Sequence, residues 1–121
     1  MNQRRRILIV EDEYMIADDL AFDLRALGAE VVGPIPTLAK ALTAVATETR
    51  LDGAVLDVNL GGEMVFPVAD ALRERNVPIL FTTGYDEGMI PARYADVERC
   101  EKPVTPARLK KAVASALALE G

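Results

Sequence analysis

The chain has no histidine and no tryptophan, one cysteine, three tyrosines and three phenylalanines among its 121 residues. Without imidazole, histidine-based general-base catalysis, catalytic triads and zinc sites using histidine are excluded. Cys100 stands alone and cannot close an internal disulfide, which fits a reducing cytoplasm. No stretch approaches the roughly 20 apolar residues of a membrane span. The amino terminus is charged but carries no long apolar run, so no signal peptide is expected. The net charge is −5, which argues against nucleic acid as a direct partner. The triplet Arg4, Arg5 and Arg6 is the one basic cluster and reads as solvating the entry to the first strand.

What the chain does have is alternation. Half its residues are apolar and 27% charged, an ordinary balance for one domain of this length. A short apolar run at 7–10 precedes a helical pattern over 13–27, with Ile16, Leu20, Leu24 and Leu27 on one face and Gly28 as its C-cap. A second strand covers 29–33, closed by Pro34 and Pro36. Thr37 caps a helix whose inward face is Leu38, Ala41, Leu42 and Val45. The third strand covers 53–57 and leads into a loop with Gly61 and Gly62. Pro67 fits a first helical turn, with Val68, Ala69 and Leu72 inward. Pro78 opens a fourth strand. Residues 86–95, broken by Gly88 and Pro91, predict a short or irregular helix. A fifth strand covers 97–101. Thr105 and Pro106 then start a last helix with Leu109, Val113, Ala116 and Leu117 inward. Five β–α units give a five-stranded parallel sheet with helices on both faces.

Four of these apolar runs end on polar residues of different kinds. Glu11 and Asp12 close the first, Asp57 the third, Thr82 and Thr83 the fourth, and Lys102 with Pro103 the fifth. Ligand crevices of parallel sheets lie at the carboxyl ends of the strands. With strands about 4.8 Å apart, an order of 2-1-3-4-5 would bring the ends of the first, third and fourth strands within roughly 10 Å. Three carboxylates so close repel one another unless a cation sits among them. Hard oxygen ligands without histidine or thiolate favour Mg²⁺. Asp57 is the natural nucleophile for a phosphoryl group, Lys102 would pair with the phosphoryl oxygens, and the Thr83 hydroxyl can bond one of them. Taken alone, Glu11 and Asp12 equally well open a helix, Thr83 suits a strand, and Lys102 suits a surface. Asp57, directly after an apolar strand, has no such plain account.

At these residues the chain resembles the receiver domains of two-component response regulators, over essentially its whole length. The resemblance rests on Glu11 with Asp12, Asp57, Thr83, and Lys102 with Pro103, in that order and spacing. It implies a flavodoxin-like (βα)5 three-layer fold with strand order 2-1-3-4-5. It implies one receiver domain over 1–121; with the chain ending at Gly121 just after the last helix, no effector domain is expected. It further implies a single-domain response regulator acting in the cytoplasm in two-component or phosphorelay signalling. Asp57 would be phosphorylated by a histidine kinase or histidine phosphotransfer protein, and output would pass by contact with a downstream protein target. Such a protein is a switch, not an enzyme, and catalyses only its own phosphorylation and dephosphorylation. Mg²⁺ would be held by Asp12, Asp57 and the backbone carbonyl of Asn59, with Glu11 helping through metal-bound water. The Lys102–Pro103 bond would be cis. Neither nucleic acid nor membrane is an expected partner, and the chain would be a monomer or weak dimer.

The sequence also departs from the usual pattern. The first of the acidic pair is Glu11, a variation that, by the resemblance, should preserve metal binding. The loop after Asp57 runs Asn59, Leu60, Gly61, Gly62, Glu63. Where receivers place an aromatic switch, three residues before the lysine, this chain has Arg99. The stretch Phe81, Thr82, Thr83, Gly84, Tyr85 is similar to a Phe-Ala-Thr-Gly-x-Tyr motif of stand-alone receivers, with the tyrosine one position early. Tyr85, Arg99 and the weak helix at 86–95 are therefore expected to carry the response, with Tyr85 shielding the phosphoryl group from water. A phosphorylation-independent scaffold is the alternative. A haloacid-dehalogenase-type phosphohydrolase would want a second aspartate where Asn59 stands, and a cap for which there is no room. A flavodoxin would want a hydroxyl-rich phosphate loop after the first strand. Gly61 and Gly62 lack the spacing of a nucleotide loop.

Overall fold

Two strands of this chain are apolar without alternation because both of their faces are covered. In the computed structural model, which describes residues 4–84 and 90–119, β1 (Arg6–Val10) and β3 (Gly53–Asp57) are central strands of a parallel sheet. Ile7 through Val10 and Ala54 through Leu56 are all buried. β2 (Glu30–Ile35), β6 (Ile79–Thr83) and β7 (Arg99–Glu101) complete the sheet in the order β2-β1-β3-β6-β7. Two numbers go to a small antiparallel ribbon, β4 (Asn59–Leu60) and β5 (Glu63–Met64). Without the ribbon the order is 2-1-3-4-5, the flavodoxin-like arrangement the sequence implies.

Helices α1 (Tyr14–Ala26) and α4 (Pro106–Leu117) cover one face, packing Leu20, Leu24, Leu109 and Val113 on Ile7, Ile9, Val55 and Leu80. Helices α2 (Leu38–Thr47) and α3 (Phe66–Glu74) cover the other, over Leu8, Val10, Leu56 and Phe81. Both threonine N-caps expected from the sequence form, while α1 is C-capped by Leu27 rather than Gly28, which follows at φ +92°. The Thr37 hydroxyl accepts from the Lys40 amide at 3.2 Å, and Thr105 accepts from Arg108 at 3.2 Å.

Several boundaries differ from the sequence reading. β2 runs two residues beyond Gly33, because that glycine takes φ +99° and absorbs a register shift opposite β1. A Cβ there would lie 2.8 Å from the Ile35 nitrogen. Pro34, which lacks an N–H, is tolerated because β2 is an edge strand. Leu42 is 36% exposed rather than inward. The glycine loop after Asp57 is the β4–β5 ribbon. In the 86–95 stretch the described part forms one 3-10 turn, Ala92–Tyr94, while 85–89 lie outside the described residues. β7 begins at Arg99 rather than at 97, because the Val97 amide closes that turn on the Tyr94 carbonyl at 3.0 Å.

Tyr94, to which the sequence drew no notice, is completely buried. Its ring stacks on Phe66 (5.5 Å, 21°) and meets Phe81 edge-on (5.5 Å, 81°). Its hydroxyl donates to Asp70 and to the Phe66 carbonyl. Arg93 lies 4.7 Å from the ring centroid and pairs with both oxygens of Asp70. Arg73, 5.4 Å from the ring, pairs with Asp96. The turn is thereby fastened to α3.

Candidate functional site

The carboxyl ends of β1, β3, β6 and β7 meet in one place. Glu11 follows β1, and its amide donates to the Ile35 carbonyl at 3.0 Å, so the chain stays tied to β2 as it leaves the sheet. Its carboxylate is buried, 1% exposed, and accepts the Glu13 amide at 3.1 Å. Asp57 ends β3, 2% exposed. The next amide, Val58, donates to the Thr82 carbonyl at 3.1 Å and holds β3 to β6 up to the site. Lys102 follows β7, with its amide on the Thr83 carbonyl at 2.8 Å. From there its ammonium reaches across two strands, to 3.3 Å from Asp57 Oδ2 and 3.1 Å from Glu11 Oε1.

Asp12 is exposed at the mouth. One oxygen from each of Glu11, Asp12 and Asp57 lies within 4.8 Å of the others. The ribbon turn passes close by: Gly61 has φ +62°, and a Cβ there would be 3.5 Å from Asp12 Oδ2. A left-handed residue without a side chain suits that approach.

Charge decides what such a cluster can do. Burial drives the Asp57 carboxyl up, and the neighbouring Glu11 charge adds to it. Lys102 opposes both, and the result is a pKa pushed up to about 8. Burial works the other way on the Lys102 ammonium, but the Asp57 and Glu11 carboxylates outweigh it and raise its pKa. One ammonium faces three carboxylates, a donor set of hard oxygens that suits a divalent cation. Glu11 Oε1 has no hydrogen-bond partner apart from its ion pair with Lys102.

Of the residues singled out in the sequence, Glu11, Asp12, Asp57 and Lys102 are brought together. Thr83 is buried at the end of β6, beside the Lys102 backbone. The Asn59 amide lies 3.4 Å from Asp57 Oδ1, and its side-chain carbonyl accepts the Gly62 amide at 2.6 Å. Pro103 follows a cis bond from Lys102. Arg99 is exposed on β7, and Tyr85 lies outside the described residues. Thr82, the neighbour of Thr83, is fully buried with no partner for its hydroxyl, and it is the pairing of β6 with β3 that sets it on the face of Asp57.

This sheet order with this acidic cluster defines the receiver class of α/β domains. No family model matches the chain. The phyllosphere-induced regulator PhyR of Methylorubrum extorquens is 35% identical over 120 residues, 92% of this chain and 43% of that protein. The chain spans less than half the length of the curated relatives it matches. SdrG from Sphingomonas melonis Fr1 superposes with a TM-score of 0.81 at 42% identity over 98% of both chains. A response regulator receiver protein from Sinorhizobium medicae WSM419 gives 0.80 at 27% identity over 96% of both. The chain belongs to the response regulator receiver domains.

Proposed function

We propose that the domain is a phosphorylation switch in two-component or phosphorelay signalling, with Asp57 as the phosphoacceptor. A histidine kinase or histidine phosphotransfer protein is the donor. The observation that carries this reading is the Asp57 carboxylate, buried at a strand end and 3.3 Å from the Lys102 ammonium, in a chain of the receiver family. Asp57 Oδ attacks phosphorus, the bond to the donor nitrogen breaks, and the ammonium pairs with a phosphoryl oxygen. Thr83 bonds another phosphoryl oxygen and registers its arrival.

The donor set fits Mg²⁺, which Asp12, Asp57 and the Asn59 carbonyl would hold, with Glu11 acting through bound water. When bound, it supplies charge compensation to the phosphoryl oxygens. α1 starts two residues after Asp12 and exposes the apolar side chains Tyr14, Met15 and Phe22, a surface on which a donor protein could dock. Output is contact with a downstream protein over residues 86–95, β7 and α4, with Arg99 in the aromatic position.

Intact mass after incubation with acetyl phosphate and Mg²⁺ tests the reading, with Asp57→Ala alongside. One phosphoryl group added to the parent and none to the variant is expected. A folded parent that gains nothing, while another receiver is labelled in parallel, would favour a phosphorylation-independent scaffold instead.

A further inference from the structure

Thr82 is a buried polar residue that the reading above leaves unused. It is 0% exposed, and its Oγ1 has no hydrogen-bond partner. A buried hydroxyl that bonds nothing is costly, and valine would fill the same volume in a strand without that cost. Strand preference therefore accounts for the shape of this side chain but not for its oxygen.

Its position suggests what the oxygen is for. In the sheet register Thr82 is paired with Asp57 on one side and with Cys100 on the other. Paired residues of neighbouring strands point to the same face, about 4.8 Å apart. This is the face of Val55, Leu80 and Cys100, under α1 and α4. The Thr82 backbone is fixed from the same direction, since its carbonyl takes the amide of Val58, the residue after Asp57. Only one side-chain torsion, with three staggered settings, separates the present hydroxyl direction from others. Lys102, reaching from the end of β7 to Asp57 and Glu11, passes over the end of β6 to do so.

At rest Asp57 already has donors. Oδ2 has the ammonium at 3.3 Å, and Oδ1 faces the Asn59 amide at 3.4 Å. An aspartyl phosphate changes that allotment, because one carboxyl oxygen becomes bonded to phosphorus and the ammonium is drawn to the phosphoryl group. We propose that the Thr82 hydroxyl then donates to the remaining carboxyl oxygen of Asp57, a role that rests on Asp57 being the phosphoacceptor. In hydrolysis a water oxygen bonds to phosphorus and the phosphorus–oxygen bond to Asp57 breaks. Its electron pair returns to the carboxylate, and the water proton leaves with inorganic phosphate or to solvent. Negative charge thus grows on the carboxylate in the transition state, where a fixed donor counts for more than in the ground state. Phosphoryl gain from a small donor passes the same charge distribution in reverse. Thr82 therefore speeds both directions and shortens the life of the phosphorylated state.

The test follows the loss of the phosphoryl group by intact mass in the parent, Thr82→Val and Thr82→Ser, after labelling with acetyl phosphate and Mg²⁺ and removal of the donor. The valine variant should hydrolyse roughly tenfold more slowly, the worth of one charge-assisted hydrogen bond, and also label more slowly. Serine, which keeps the hydroxyl, should restore the parental rate to within about twofold. Thermal unfolding run alongside should find the valine variant at least as stable as the parent, so that lost structure is not the cause. Equal lifetimes in valine and parent overturn the inference while leaving the phosphoacceptor reading intact. Equal slowing by serine and valine overturns it too, because packing would then be the cause. A folded parent that takes no phosphoryl group removes both readings together.

Discussion

Asp57 illustrates how one residue can be costly at rest and useful in action. Its pKa, pushed up to about 8 by burial and by Glu11, exceeds the roughly 3.9 of a free aspartate. The native state therefore binds more protons than the unfolded state between those values, and stability falls as pH rises through them. The contribution is fully present below about 3.9 and is lost by the time pH passes about 8. Replacing Asp57 by Asn should accordingly raise the urea midpoint in metal-free buffer most at pH 8 and least near pH 4. A difference between the two proteins that does not vary with pH would refute this account. A cation among Glu11, Asp12 and Asp57 favours the ionised form, so the stabilisation by Mg²⁺ should grow from pH 5 to pH 8. Calorimetric titration at the two pH values measures that directly.

At the scale of elements, the turn before β7 is the part with the most unusual support. Tyr94 joins α3 through Phe66 and Asp70, and joins β6 through Phe81, two residues before Thr83. Both chains that leave the site thus rest against one ring. Tyr94→Ala should cost about 3–5 kcal/mol of unfolding free energy. Tyr94→Phe, which keeps the rings but loses the hydroxyl bonds, should cost about 1 kcal/mol. Urea unfolding of the two variants would separate packing from hydrogen bonding, and similar losses would contradict the division. Elsewhere, Thr37→Ala should remove about 1 kcal/mol by uncapping α2. Helices were legible where their apolar stripe was narrow, as in α1 and α4. In α2 the stripe of Leu38, Ala41, Leu42 and Val45 is wider than the face that is covered, and Leu42 falls at its exposed margin. Tyr94 gave no signal, because a lone aromatic beside Arg93 reads as a surface residue until α3 is set against it.

For the molecule as a whole, the acidic balance and the apolar side chains on α1 shape what can approach. No helix among the described residues is long and apolar enough to cross a membrane. Tyr14, Met15 and Phe22 are 82%, 78% and 71% exposed on α1, the helix that starts two residues after Asp12. If a phosphodonor protein docks there, Phe22→Ser should slow phosphotransfer from its histidine by roughly tenfold, in the range of one interface anchor. Labelling by acetyl phosphate, which needs no docking, should be unchanged, and a loss in both assays would instead point to damage at the site. The order of polar residues at strand ends, the caps and the parallel sheet follow from sequence, because each depends on local period or on one residue at a boundary. Glu11, Asp12, Asp57 and Lys102 could be named as a site for the same reason. Tertiary structure alone decided that Lys102 spans to both Glu11 and Asp57, and that burial beside Glu11 pushes the Asp57 pKa up. It alone left the Thr82 hydroxyl beside Asp57 without a partner. Distances, burial and unmet hydrogen bonds arise between elements far apart in the chain, and no local pattern encodes them.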